Sequence, residues 1–105
     1  MASRDRNHHS IVKKFERMGA SVIDLSQIGR GKTDLLIGYC GIDQLVEVKL
    51  PEGRFGGTAH SKLNHRQVAF QHKWRGRSPV VVRTEEEVER LLESMESVGG
   101  LHSPD

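Results

Sequence analysis

The chain is poor in cysteine, proline and aromatics: one Cys, three Pro, three Phe, one Tyr and one Trp among 105 residues. Cys40 alone cannot close an intramolecular disulfide, and no cysteine cluster is present to hold structural zinc. That pattern suits a reducing, intracellular compartment, such as the cytoplasm of a prokaryotic or phage-infected cell. No apolar run approaches the roughly 20 residues that cross a bilayer, and the first residues lack the charged-then-apolar pattern of a signal peptide. No membrane association is expected. With so few rings available, Phe15, Phe70 and Trp74 are expected to contribute to packing.

A large excess of one charge is also missing, but only in the total. The formal net charge is +2, yet residues 84 to 105 hold seven acids against one base, Arg90, which leaves fifteen bases against seven acids before them. The first 83 residues therefore carry about +8, a balance that suits a polyanionic partner. A chain of this length supports one compact domain, 1-105, with an ordered core expected from about 7 to 97 between polar tails.

What the sequence does have is a central hairpin. Leu35 to Ile37 and Leu45 to Val48 are aliphatic runs separated by Tyr39-Cys40-Gly41-Ile42-Asp43, which predicts two antiparallel strands. If the turn centres on Gly41 and Ile42, Asp34 lies opposite Lys49 and Leu36 opposite Glu47. Side chains alternate across a sheet, so Asp34, Glu47 and Lys49 then share one face at one end of the hairpin. Two carboxylates held together repel unless a cation sits between them, and hard oxygen donors suit Mg²⁺ or Mn²⁺. Taken alone, Glu47 and Lys49 also fit a half-exposed strand with no chemical role.

Around the hairpin the elements read in order. Ile11, Phe15 and Met18 recur at helical spacing from about Asn7 to Met18, with Glu16 on the shoulder of the stripe and Gly19 as a stop. His8 and His9 read as the solvated start of that helix. Ala20 to Leu25 predicts a strand, and Ser26 to Lys32 a loop in which Gly29 and Gly31 flank Arg30, so that Arg30 and Lys32 can reach phosphate. Pro51 ends the hairpin, and Glu52 to His60 is a glycine-rich loop with Arg54, Phe55 and His60. It is either a nucleic-acid grip or a connector.

A second helix is predicted from about His65 to Trp74, with Leu63, Gln67, Phe70 and Trp74 on one stripe. Gln67 fits a capping box opened by Asn64. Lys62, Arg66, Lys73, Arg75 and Arg77 surround the helix as candidates for phosphate contacts. Pro79 to Val82 is wholly apolar, as in a strand flanked on both sides. Thr84-Glu85-Glu86-Glu87 is a capping box opening a last helix with Val88, Leu91, Leu92 and Met95 on one face and Gly99 and Gly100 at its end.

Gly31-Lys32-Thr33-Asp34-Leu35-Leu36-Ile37-Gly38 followed by Val46-Glu47-Val48-Lys49 resembles the core of the PD-(D/E)xK nuclease superfamily, in particular the VRR-NUC nucleases and the archaeal Holliday-junction resolvases. The likeness extends over roughly residues 10 to 92 and includes Leu63-Asn64-His65-Arg66-Gln67, similar to the glutamine-bearing helix of VRR-NUC proteins. Thr33 departs from it, standing where the superfamily name has proline.

The resemblance implies an α/β, restriction-endonuclease-like sandwich, a small mixed sheet flanked by helices in the order αβββαβα. It implies a Mg²⁺- or Mn²⁺-dependent endonuclease acting on DNA phosphodiesters, with Asp34, Glu47 and the Val48 carbonyl as metal ligands. Glu16 would complete the site directly or through water, and otherwise is an ordinary boundary residue. Lys49 would stabilise charge or orient the attacking water. Gln67 would point at the site, a role compatible with its place in the capping box. Arg30, Lys32, Arg54, Lys62, Arg66 and Lys73 would contact the DNA backbone. A homodimer acting on a branched substrate such as a four-way junction is the further expectation. Two other readings remain at this stage: a binding module of the same fold that does not cleave, and an interaction domain whose acidic last helix docks another protein.

Overall fold

The structure, a computed structural model, describes residues 3–28, 33–51 and 65–100. Its elements are α1 (Ser3–Arg17), β1 (Ser21–Asp24), β2 (Leu35–Tyr39), β3 (Ile42–Val48), α2 (His65–Lys73), β4 (Val80–Val82) and α3 (Glu85–Gly100). The order αβββαβα is the expected one, with α1 starting four residues earlier, at Ser3 rather than Asn7.

The strands form one sheet in the order β1-β2-β3-β4, antiparallel except for β4, which runs parallel to β3. A parallel neighbour needs a crossover, and the segment carrying α2 supplies it. β4 therefore lies at the end of the sheet, contrary to the position between two strands that its apolar composition predicts. Its composition is explained by faces rather than by neighbours, since Val82 sits in the core and Val80 packs against it.

The β2-β3 register differs from the expected one by two residues. Leu35 pairs with Val46 and Tyr39 with Ile42, which leaves a two-residue loop of Cys40 and Gly41. Both loop residues have positive φ, 53° and 76°. That is the type I′ turn, whose twist matches the flanking strands. Because the slip is by two, every side chain keeps its predicted face.

One face of the sheet is the core. Leu35 and Ile37 of β2, Val46 and Val48 of β3 and Val82 of β4 are buried against Ile11 and Phe15 of α1 and Val88, Leu91, Leu92 and Met95 of α3. Each such side chain contributes about 1.5–3 kcal/mol when removed from water. Gln44 is buried among them with its hydrogen bonds met: its amide donates to the carbonyls of Leu45 and Ser78, and its oxygen accepts from Arg77 Nε at 2.9 Å.

Helix α3 is closed at its start by the predicted capping box. Glu87 N donates to Thr84 Oγ1 at 3.2 Å and Thr84 N to Glu87 Oε1 at 3.3 Å. Three of its acids meet neighbouring elements at the surface: Lys14 reaches Glu89 at 2.7 Å, Arg17 reaches Glu85 at 3.3 Å, and Tyr39 Oη donates to Glu96 at 2.6 Å. The phenol is pushed up to about 12 by that bond to Glu96. The helix ends at Gly100, within the predicted Gly99-Gly100 stop, and Gly99 lies against the β-turn; a Cβ at this position would meet the Cys40 carbonyl oxygen at 2.5 Å.

Candidate active site

The site forms where the ladder between β2 and β3 runs out. Past the pair Leu35–Val46 the strands separate: Asp34 N donates to the Val46 carbonyl at 3.1 Å, and the Asp34 carbonyl accepts from Leu25 N at 2.7 Å. The amide of Val48 thereby loses a strand partner. It donates instead to Asp34 Oδ2 at 2.8 Å, so this carboxylate substitutes for backbone pairing and is fixed at the strand end.

On β3 the peptide groups alternate. Lys49 N donates across to Val82 at 3.1 Å, so Val48, one residue earlier, turns its N–H toward Asp34. In an extended strand a residue's N–H and C=O point to the same side. The Val48 carbonyl therefore also faces the Asp34 side.

Glu47 and Lys49 alternate onto the face opposite the core. Both are buried, at 1% and 5% exposure, and Lys49 Nζ lies 4.0 Å from Glu47 Oε2. The same Oε2 accepts a hydrogen bond from Gln67 Nε2, and Gln67 is the buried residue of α2. A buried carboxylate without partners is costly, so the ammonium and the amide together are what make Glu47 tolerable here. They also hold it in one orientation.

Asp34, Val48 and Lys49 line a cleft of about 380 Å³ whose other walls include Asn7, His8, Asp24, Ser26 and Gln27. Glu47 is not among these lining residues; it joins the cleft through Lys49, 4.0 Å away, and meets Gln67 of α2. Asn7 ties α1 to the strand ends, donating to the Lys49 carbonyl at 2.9 Å and to the Arg83 carbonyl at 3.4 Å. His8 Nε2 donates to Asp24 Oδ2 at 3.0 Å. Burial pushes the Asp24 carboxyl up, but bonds from the Ser26 hydroxyl and amide, and from His8, outweigh it and hold the group below the ordinary aspartate value.

Of the residues singled out in the sequence, the structure brings together Asp34, Glu47, Val48, Lys49 and Gln67. Glu16 stands apart. It is exposed on the outer surface of α1 and lies 3.8 Å from Lys13. Nine residues separate it from Asn7, about 180° around a helix of 3.6 residues per turn, so when Asn7 points at the strand ends Glu16 points away. Asn7 was not singled out in the sequence; its place one turn before Ile11 puts it on the buried stripe but does not name its partners. His8, expected to be a solvated helix start, is instead a cleft residue, and nothing in its local sequence announces Asp24 as its partner. Arg66 and Lys73 lie exposed on α2. Arg30, Lys32, Arg54 and Lys62, like Phe55, His60, Leu63 and Asn64, fall outside the described residues.

With this geometry in view, comparison with solved structures finds a likeness to a VRR_NUC domain: 29% identity over 89% of this chain and 97% of that one, with a TM-score of 0.66. No family model and no curated protein matches. The chain thus has a VRR_NUC-type nuclease fold, the mixed four-stranded sheet with flanking helices described above. No helix among the described residues is long and apolar enough to cross a membrane.

Proposed function

We propose that the protein is a nuclease that hydrolyses DNA phosphodiesters with the help of Mg²⁺ or Mn²⁺. The observation that carries this reading is the placement of Asp34, Val48 and Lys49 along one cleft at the strand ends of a VRR_NUC-type fold, with Glu47 4.0 Å from the lysine. Among the described residues no group of three or more His, Cys, Asp or Glu side chains gathers for a metal. The donor set is instead two carboxylates and a backbone carbonyl. That fits an ion which prefers hard oxygen and keeps several waters.

Bound there, such an ion would polarise the scissile phosphate and make water a nucleophile at neutral pH. The chain's own residues have separate tasks. Asp34 and Glu47 would hold the ion, the Val48 carbonyl would add a third oxygen, and Gln67 positions Glu47 through its amide. Lys49 offsets the charge that grows on the phosphate and orients water. Arg66 and Lys73 bind the DNA backbone. In the same proposal two copies pair on branched DNA such as a four-way junction, each contributing one site.

A non-cleaving binding module is the second reading. It is favoured by one specific feature, the commitment of Glu47 Oε2 to both Gln67 and Lys49. Cleavage of supercoiled, linear, single-stranded and four-way-junction DNA, with and without Mn²⁺, separates the two. In parallel, Mn²⁺ should raise the Tm of the parent protein by mass action and leave that of Asp34→Ala unchanged. No cleavage and no metal-dependent Tm would establish the binding module instead. Light scattering that shows only monomer, with or without junction DNA, would remove the paired arrangement.

A further inference from the structure

The described surface around α2 and the segment after it is one-sided in charge. From His65 to Thr84 there are five bases and no acid, and four of the bases, Arg66, Lys73, Arg75 and Arg77, are exposed. Within this stretch stands the chain's single tryptophan. Trp74 is 45% exposed. It is not loose. Its ring stacks on Phe70 with centroids 5.4 Å apart and planes 23° from parallel, and its backbone N–H continues the helix by donating to the Phe70 carbonyl at 2.9 Å. At its Nε1 edge the ring lies 2.7 Å from where a Cβ on Gly76 would be, so a side chain there would push the indole aside.

The position of this ring relative to the cleft matters. Gln67, Phe70 and Trp74 are spaced i, i+3, i+7 and share one helix face. Gln67 meets Glu47. Trp74 stands two turns further on, about 10 Å along the helix axis at 1.5 Å per residue. A fixed, half-exposed aromatic plane amid cations suits a nucleobase, because every base presents a π-face while the surrounding cations take the phosphates. A paired duplex buries its bases in the stack and cannot offer one.

We propose that Trp74 is a stacking platform for an unpaired base, so that the chain binds a single-stranded segment beside its cleft. The inference rests on the nuclease reading only for the identity of the cleft; the binding itself needs neither metal nor cleavage. Among branched DNAs it favours one with an unpaired stretch beside the cleft over a fully paired four-way junction.

The test uses the full chain in EDTA, where the one tryptophan reports on itself. Titration with oligo(dT) should quench its fluorescence, whereas a blunt duplex and heparin, which carry charge without accessible bases, should leave it nearly unchanged. By anisotropy of labelled DNA, Trp74→Ala should weaken oligo(dT) binding roughly 5- to 150-fold, the range for loss of one base stack, and duplex binding by less than twofold. Trp74→Phe, which keeps a ring, should restore most of the affinity and guards against misfolding of the alanine variant. Fluorescence unmoved at saturating oligo(dT), equal quenching by heparin, equal affinity of Trp74→Ala for oligo(dT), or no binding of oligo(dT) at all would each overturn the platform. Metal-dependent cleavage that persists beside such a result leaves the nuclease reading intact, and quenching without cleavage does the reverse.

Discussion

Asp34 has two structural relations that can be pulled apart by substitution. Its Oδ2 stands in for a missing strand partner of the Val48 amide, and its charge belongs to the cleft. Asn at this position keeps an oxygen for the amide and removes the charge. Asp34→Asn should therefore melt close to the parent while cleaving at least 100-fold more slowly, since one preorganised electrostatic contact in a reaction of this kind is worth on the order of 3 kcal/mol. Glu47→Gln should show the same loss of cleavage; parent-like cleavage by both would remove the strand ends as the active site. The two resolved shifts predict opposite pH behaviour. Asp24 is held below its unfolded value, so its contribution to stability is present above about pH 4 and is lost as pH falls through the folded value. Asp24→Asn should flatten the acid side of the Tm profile. Tyr39 is raised to about 12, so its contribution is complete below the unfolded phenol value and is lost as pH rises toward 12; Tyr39→Phe should remove that alkaline difference. Profiles of either variant parallel to the parent's would show that the bonds to Asp24 and Tyr39 contribute nothing.

At the scale of elements, the hairpin turn is where sequence and structure differ most instructively. A run of five residues between two apolar strands can turn in more than one register, and the pattern of Leu35, Ile37, Val46 and Val48 is satisfied by any slip of two. What decides is backbone conformation: Cys40 and Gly41 both take positive φ, a strain that Cys40 does not advertise. Cys40→Asn places the residue preferred at the first position of this turn and should raise stability by about 0.5–1 kcal/mol. Gly99→Ala should cost about 1–3 kcal/mol, because α3 and the turn approach too closely for a methyl group. Both are read from urea midpoints, and a neutral Gly99→Ala would mean that the helix end shifts freely. The other elements were legible because their signals are local. The helical stripes of α1 and α3, the Thr84–Glu87 box and the face shared by Asp34, Glu47 and Lys49 follow from periodicity and capping alone. The reach of Asn7, the His8–Asp24 pair and the withdrawal of Glu16 depend on how α1 is rotated against the sheet, which residue spacing within one helix does not encode.

For the molecule as a whole, the relevant quantity is where the charge goes. Residues 84 to 105 carry seven of the fourteen acids, and the structure turns Glu85, Glu89 and Glu96 onto Arg17, Lys14 and Tyr39. That engages three of the acids of α3 within the chain, while Glu86 and Glu93 stay exposed. It also engages two of the cations of α1, Lys14 and Arg17, whereas Arg66 and Lys73 lie exposed on α2 and open to a polyanion. If Arg66 and Lys73 neutralise phosphates, each contributes about one released counterion to binding. Binding of a long duplex, measured in EDTA from 50 to 200 mM salt, should then lose roughly one unit of log-log slope on each of Arg66→Ala and Lys73→Ala, with the affinity for all sequences falling together. Lys14→Ala is the control: its ammonium is engaged with Glu89 at 2.7 Å, so it should lower the Tm slightly and leave the slope untouched. A slope that falls as much for Lys14→Ala as for Arg66→Ala would mean that the DNA crosses the α1-α3 side of the sheet and not the side on which α2 carries Gln67 to Glu47.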